Sequence, residues 1–322
     1  MTNDVLVFAE HKGGVLTSGT KGAFTAAKQV AEDKELSVSA VVVGSAVDEV
    51  AKQCFTLGAS KVFTVQHDEL KVFRTLPFTK VLTQVIAENK PEVVLFGYST
   101  ASTDFAPRVG AAMGRAILTG AVAFEWDEDK LVATKPAYND KLHFKYGLSE
   151  GPRMVILGLG AFSAPEPTGG ATGEVVTVEP SFEDGDLAEQ VLGVEMAEST
   201  VDLSAAKFII SGGRGAGSKE GFQSIIEASK SLSAQPASSR AVWDAGWTEQ
   251  DIHVGQTGGT VAPDVYIAAG ISGAIQHTAG IKKSKVILTI NTDPEAPIWE
   301  ISNYGIVGDL HKILPLLVKK LS

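Results

Sequence analysis

Short apolar runs and longer amphipathic segments alternate along both halves of the chain. In the first half VLVFA at residues 5–9, VSAVVVG at 38–44 and KVFTV at 61–65 are separated by helix-length segments over 22–32 and 48–57. An uninterrupted run such as 38–43 suits a strand of a parallel sheet with helices on both faces, because neither face of such a strand meets water. The pattern therefore predicts βαβαβ, continued by a helix over 77–89, a strand over 93–96 and a polar turn over 97–103.

The alternation then breaks. Residues 118–123, 130–138, 142–146 and 154–159 read as strands joined by turns, a β-rich extension of the first unit. From 162 to 199 the chain carries prolines, glycines and acids, including PEPTGGATGE and EPSFEDGD, the composition of a solvated connector. Two domains follow, 1–195 and 203–322, each an α/β unit. In the second, apolar segments at 208–210, 241–242, 265–269 and 286–290 restore the parallel alternation.

Size and composition agree with two folded domains: 322 residues, 44% hydrophobic and 20% charged. A net charge of −10 with scattered lysines argues against nucleic acid, whose affinity rests on clustered cations. No apolar run approaches the roughly 20 residues of a membrane helix. The first strand begins almost at Met1, so a cytoplasmic chain without a signal or transit peptide is expected. A single cysteine, Cys54, excludes an internal disulfide and any multi-cysteine metal site, and reads as a small buried apolar residue. Metal-binding histidine spacing, a nucleophile elbow and an isolated carboxylate pair are all missing.

The candidate chemistry lies in four loops of the second domain. Val265 to Ala269 runs into Gly270, and Ser272-Gly273-Ala274 opens a predicted helix over 275–281. Such a turn offers unpartnered N–H groups and the positive end of a helix dipole to a phosphate. Gln276 and His277 add side-chain donors, and no carboxylate sits in the turn. SGGRGAG at 211–217 repeats the pattern with Arg214 inside it, before a helix predicted over 219–232. Ser238-Ser239-Arg240 precedes the apolar pair at 241–242, and Val254-Gly255-Gln256-Thr257 opens a further small polar turn. Asn291 closes the last of these strands, and Asp309 precedes a terminal amphipathic helix, where a capping aspartate is also expected. Ligands of parallel sheets sit beyond the carboxyl ends of the strands, so these loops are expected to share one cleft. From the residues alone this is a nucleotide-binding α/β protein. An NAD-linked oxidoreductase and a non-redox nucleotide-binding module both stay open, although SGGRGAG lacks the spacing of a dinucleotide fingerprint and its ribose-binding acid.

GISGAIQH, VGQTG, SGGRG, SSRAVWDAG and NYGIVGDL occur in the order found in the alpha subunits of electron-transfer flavoproteins, and over 207–317 the chain closely resembles that family. The first two hundred residues resemble it in pattern and in the opening VLVFAEH. Departures at Ala216, Gly259, Thr278 and Leu288-Thr289 remove no expected flavin contact.

The resemblance implies an electron carrier and not an enzyme: an FAD-binding C-terminal domain and an N-terminal scaffold domain that contacts a beta subunit holding AMP. It implies electrons received from flavin dehydrogenases such as acyl-CoA dehydrogenases, as in fatty acid β-oxidation, and passed to a membrane quinone oxidoreductase or, in related systems, toward nitrogen-fixation or bifurcating partners. It further implies that Arg240, Thr257 and His277 tune the flavin, the arginine by placing a fixed positive charge beside the ring. Arg214, Ser239, Gln256, Ser272, Gly273, Gln276, Asn291 and Asp309 would hold the ribityl, pyrophosphate and adenosine portions. Val254, Gly255, Ala274, Ile275 and Leu310 would line the path.

Overall fold

The computed structural model describes residues 2–138, 141–194, 203, 206–248 and 252–321. By contact the chain divides into two compact units, Met1–Val194 and Glu195–Ser322.

The first unit is a wound α/β sheet. Its elements are β1 (Thr2–Phe8), a two-residue pair β2 (His11–Lys12) and β3 (Val15–Leu16), α1 (Ser18–Glu32), β4 (Ser37–Gly44), α2 (Asp48–Thr56) and β5 (Lys61–Gln66). There follow α3 (Thr75–Asn89), β6 (Pro91–Phe96), α4 (Thr100–Ala112) and β7 (Ile117–Ala121). Then come β8 (Ala123–Asp127), β9 (Lys130–Ala137), β10 (Leu142–Leu148), β11 (Arg153–Leu157) and β12 (Glu174–Thr177). Seven strands form a parallel sheet in the order β12-β5-β4-β1-β6-β11-β7. Alternate side chains of β1 serve opposite faces: Val5 and Val7 pack with Phe24 and Ala27 of α1 and Val50 of α2, while Leu6 and Phe8 pack with Leu82 of α3 and Phe105 of α4. Cys54 lies buried in the first of these cores, where burial pushes its thiol up to about 12.

The β-rich extension is resolved into two parts. β7 and β11 join the parallel sheet, whereas β8, β9 and β10 form a separate antiparallel sheet in the order β10-β9-β8. The connector contains one more piece than its composition suggests. Glu174–Thr177 pairs in parallel with β5 and closes that edge of the main sheet. Its EVVT sequence has two β-branched valines, and four residues among prolines and glycines are too few to show a period.

The second unit contains β13 (Phe208–Gly212), α5 (Lys219–Ser231), β14 (Gln235–Ser238), α6 (Arg240–Asp244), β15 (Val265–Ala269), α7 (Ile275–Thr278), β16 (Val286–Asn291), β17 (Tyr304–Val307) and α8 (Leu310–Leu321). Its five strands are all parallel, in the order β14-β13-β15-β16-β17. The chain leaves β13 toward β14 and returns on the other side at β15, so the order reverses between β13 and β15. Loops at such a reversal turn in opposite directions and open a crevice at the carboxyl ends. Ile209, Ile210, Phe222, Ile225, Tyr266 and Ile267 are buried beneath it.

Candidate functional site

The crevice is set by backbone contact between the loops after β13 and β15. Gly213 N–H donates to Ala269 O at 2.8 Å and Gly215 N–H to Gly270 O at 3.0 Å. A Cβ on Gly213 would run into the carbonyl of Gly270 and the Cα of Ile271, so the approach needs glycine there. Gly270, at φ +65°, makes the tight exit from β15, and the buried side chain of Leu310 packs against it.

Two further loops converge on the same edge. Ser239 N–H donates to Gly212 O at 2.9 Å, which ties the start of α6 to the end of β13. Val254 N–H donates to Ser238 O at 2.9 Å, and Gln256 N–H to Gln276 O at 2.7 Å, so the 254–257 turn bridges β14 and α7. Across this bridge Arg240 Nη1 donates to Thr257 Oγ1 at 3.0 Å, while Arg240 Nε pairs with Asp244 Oδ1 at 3.1 Å. The Arg240–Asp244 pair is more than half exposed and contributes little to stability.

Arg214, Arg240, Gln256, Thr257, Ser272, Ala274, Ile275 and Gln276 are all exposed around this mouth, and Ile275 at 72% is an apolar side chain with nothing over it. Among the described residues the main-chain N–H groups of Ser272, Gly273, Ala274, Ile275 and Gln276 have no acceptor, and Arg214 has no ion pair. A run of free N–H groups, two guanidiniums and a close glycine contact fit a ligand with phosphates and an extended polar chain.

The structure places several expected contacts differently from a simple lining role. The predicted helix over 275–281 is a single α-helical turn, Ile275–Thr278, so the macrodipole is short and the free N–H groups carry the attraction. The expected order around Arg240 is reversed: the strand is Gln235–Ser238, before the loop, and residues 241–242 lie in α6. Pro236 obscures this strand in the sequence and is tolerated because β14 is an edge. Asn291 is buried; its Nδ2 donates to Ile271 O at 2.9 Å and its Oδ1 accepts from Asp293 N at 3.0 Å. It braces the turn that carries Ser272. Asp309 accepts from His311 N at 2.9 Å through Oδ1, a cap on α8.

His277 is buried, with its Nε2 3.1 Å from the hydroxyl of Tyr266. Burial is the main cause that lowers its pKa to about 4, opposed by the carbonyl of Val254 and reinforced by the nearby His253. The ring is therefore neutral, and any positive character it shows a ligand is that of one N–H. Tyr266 is a neighbour of His277 that the sequence does not mark, because a tyrosine inside an apolar strand run looks like core until its hydroxyl is located.

Residues 5–183 match the electron transfer flavoprotein domain, and residues 202–282 match the electron transfer flavoprotein FAD-binding domain. The chain is 34% identical over 321 residues to the electron transfer flavoprotein subunit alpha of Thermoanaerobacterium thermosaccharolyticum, covering 99% of this chain and 97% of that protein. It is 36% identical over 321 residues to the subunit of the same name from Bacillus subtilis, with 99% and 98% covered. Protein FixB of Clostridium saccharobutylicum is 36% identical over 318 residues, with 98% and 95% covered. The chain belongs to the electron transfer flavoprotein alpha-subunit family. As a member it is a flavin-binding electron carrier and not an enzyme. The FAD-binding match spans the loops of Arg214, Arg240, Thr257 and Gln276, the ones that the crevice joins, and ends before Asn291 and Asp309. Among the described residues no helix is long and apolar enough to cross a membrane.

Proposed function

We propose that the C-terminal unit holds one FAD along the carboxyl ends of β13, β14 and β15, and that the chain works as half of a heterodimer with an electron-transfer flavoprotein beta subunit. Bound FAD supplies the redox chemistry, and the residues around it bind it, orient it and set its electrostatics. The contact of Arg240 with Thr257 at 3.0 Å supports this reading most, because it joins a fixed cation and a hydroxyl from separate loops on one exposed mouth. Arg214 and the free N–H groups of 272–276 receive the pyrophosphate, with Ser272 and Gln276 beside them. Arg240, Thr257 and His277 serve the flavin ring, and Ser239 and Gln256 the ribityl chain. Val254, Gly255, Gly273, Ala274, Ile275 and Leu310 shape the path, while Asn291 and Asp309 steady its adenosine end.

In this reading the N-terminal unit is a scaffold for the beta subunit, which binds AMP in its own domain, and the pair works in the cytoplasm. Flavin dehydrogenases deliver the electrons, acyl-CoA dehydrogenases among them, and a quinone oxidoreductase accepts them. Fatty acid β-oxidation is one setting; kinship with a protein named FixB leaves others open. An absorbance spectrum of the chain co-expressed with its beta subunit, followed by anaerobic potentiometry, tests the reading. A flavin spectrum is expected, with a potential that falls in Arg240→Ala by on the order of 60 mV, a tenfold change in a one-electron equilibrium. A colourless complex that FAD does not reconstitute would sink it.

A further inference from the structure

Beneath the mouth lies a buried polar pair that the loop residues do not account for. Tyr266 is the second residue of β15, is 0% exposed, and points its hydroxyl at His277 Nε2, 3.1 Å away. His277 in turn sits between two other segments. Its neighbour Gln276 accepts the N–H of Gln256, and the main-chain carbonyl of Val254 faces the imidazole. Strand β15, the turn of α7 and the 254–257 loop therefore meet at one ring.

The partners decide where the proton of that ring sits. A neutral imidazole has one donor nitrogen and one acceptor nitrogen, whereas a phenol can donate or accept. A carbonyl only accepts. Nδ1 is enclosed and makes no bond of standard geometry among the described residues, so the nitrogen left to serve the Val254 carbonyl in a looser contact is Nδ1. With the proton on Nδ1, Nε2 offers a lone pair, and the Tyr266 hydroxyl must donate. The opposite arrangement would set a lone pair against the carbonyl oxygen in a site that water does not reach, an unmade bond that buried polar groups avoid.

We propose that Tyr266 is a positioning residue of the flavin site: its hydroxyl donates to Nε2 of the Nδ1–H ring of His277, holds that ring in place, and through it fixes the 254–257 loop that presents Thr257 to Arg240. The functional part rests on the flavin reading above. The tautomer and the loop are properties of this chain alone and are read separately.

The test uses the full chain co-expressed with its partner subunit, labelled with nitrogen-15 in histidine, before and after the flavin is stripped off. The His277 signal is assigned by its loss in His277→Gln. At pH 7 the wild-type ring is expected to carry its proton on Nδ1 and none on Nε2 in both states. In Tyr266→Phe, which keeps the ring volume, Nε2 loses its donor, so its nitrogen-15 signal moves toward that of a free lone pair while the proton stays on Nδ1, and amide exchange at Gln256 and Gly258, whose N–H groups donate to Gln276 O and Gly255 O, accelerates about tenfold, the loss of roughly one hydrogen bond. The potential of the rebound flavin then moves as well. A wild-type ring protonated on Nε2, or a Tyr266→Phe protein with the ring and the exchange both unchanged, overturns the proposal. The wild-type tautomer alone decides it if the variant does not fold. Failure to bind FAD would instead remove the flavin reading while leaving the stripped-protein measurements intact.

Discussion

An imidazole buried as His277 is binds a proton less readily than in the unfolded chain, and the sign of the consequence is fixed. The unfolded state takes up protons below about 6.5, the folded state only near 4. Stability from this group is complete above the unfolded value and is lost as pH falls from 6.5 toward 4, by about 3 kcal/mol in all. A buried and a half-buried carboxyl act the other way. Desolvation raises Asp4, despite hydrogen bonds from Ser39 and Ser37, and raises Glu10, despite one from Ser99. Both contribute stability as pH falls, so the wild-type profile alone is ambiguous. Urea unfolding of His277→Gln beside the wild type isolates this group, and the wild type is expected to lose stability relative to the variant as pH falls below 6. Equal profiles from pH 7 to pH 4 would mean that the ring is not held neutral.

At the scale of elements, what could be read in the sequence was whatever declares itself by a run or a motif. Continuous apolar strands such as Ser37–Gly44 gave away the parallel sheets, and glycine-rich turns gave away the loops after β13 and β15. Elements that owe their form to neighbours were hidden. Gln235–Ser238 is a strand because β13 offers it an edge, and Ile275–Thr278 stops after one turn because Gly280 packs on Gly255 and its chain is held by Val261. The close approach of the loops was hidden too, since no residue type announces which glycine meets another backbone. Gly213→Ala tests that approach. Its φ of −108° suits alanine, so the harm comes only from the Cβ against the backbone of Gly270 and Ile271. A loss of about 1–3 kcal/mol in stability is expected, with weaker flavin retention as the loops part. Gly217→Ala is the contrast: its φ of +79° strains an alanine by roughly 1 kcal/mol, but nothing lies within 4 Å of the new methyl. Flavin titration of both variants should separate them, and equal affinities would show that the glycine contact does not shape the mouth.

At the scale of the whole molecule, each unit has its own sheet and its own core, and every loop of the candidate site comes from the second unit alone. A ligand that binds only the folded form adds its binding free energy to the unit that holds it, about 2.7 kcal/mol at a hundred times its dissociation constant. Removal of flavin should therefore cost hydrogen-exchange protection in β13, β15 and β16 while leaving β1, β4 and β6 as they were. The partition is sharp because exchange from the centre of a sheet reports opening of that sheet's own core. An equal loss in both sheets would mean that the flavin is held by more than the loops joined through Arg240 and Thr257, and that the first unit contributes residues to it. Protection lost in the second sheet alone would assign the cofactor's hold to that unit and leave the seven-stranded sheet free for a structural task. That division matches the sequence, in which Arg214, Arg240 and the glycine-rich turns all fall after residue 207.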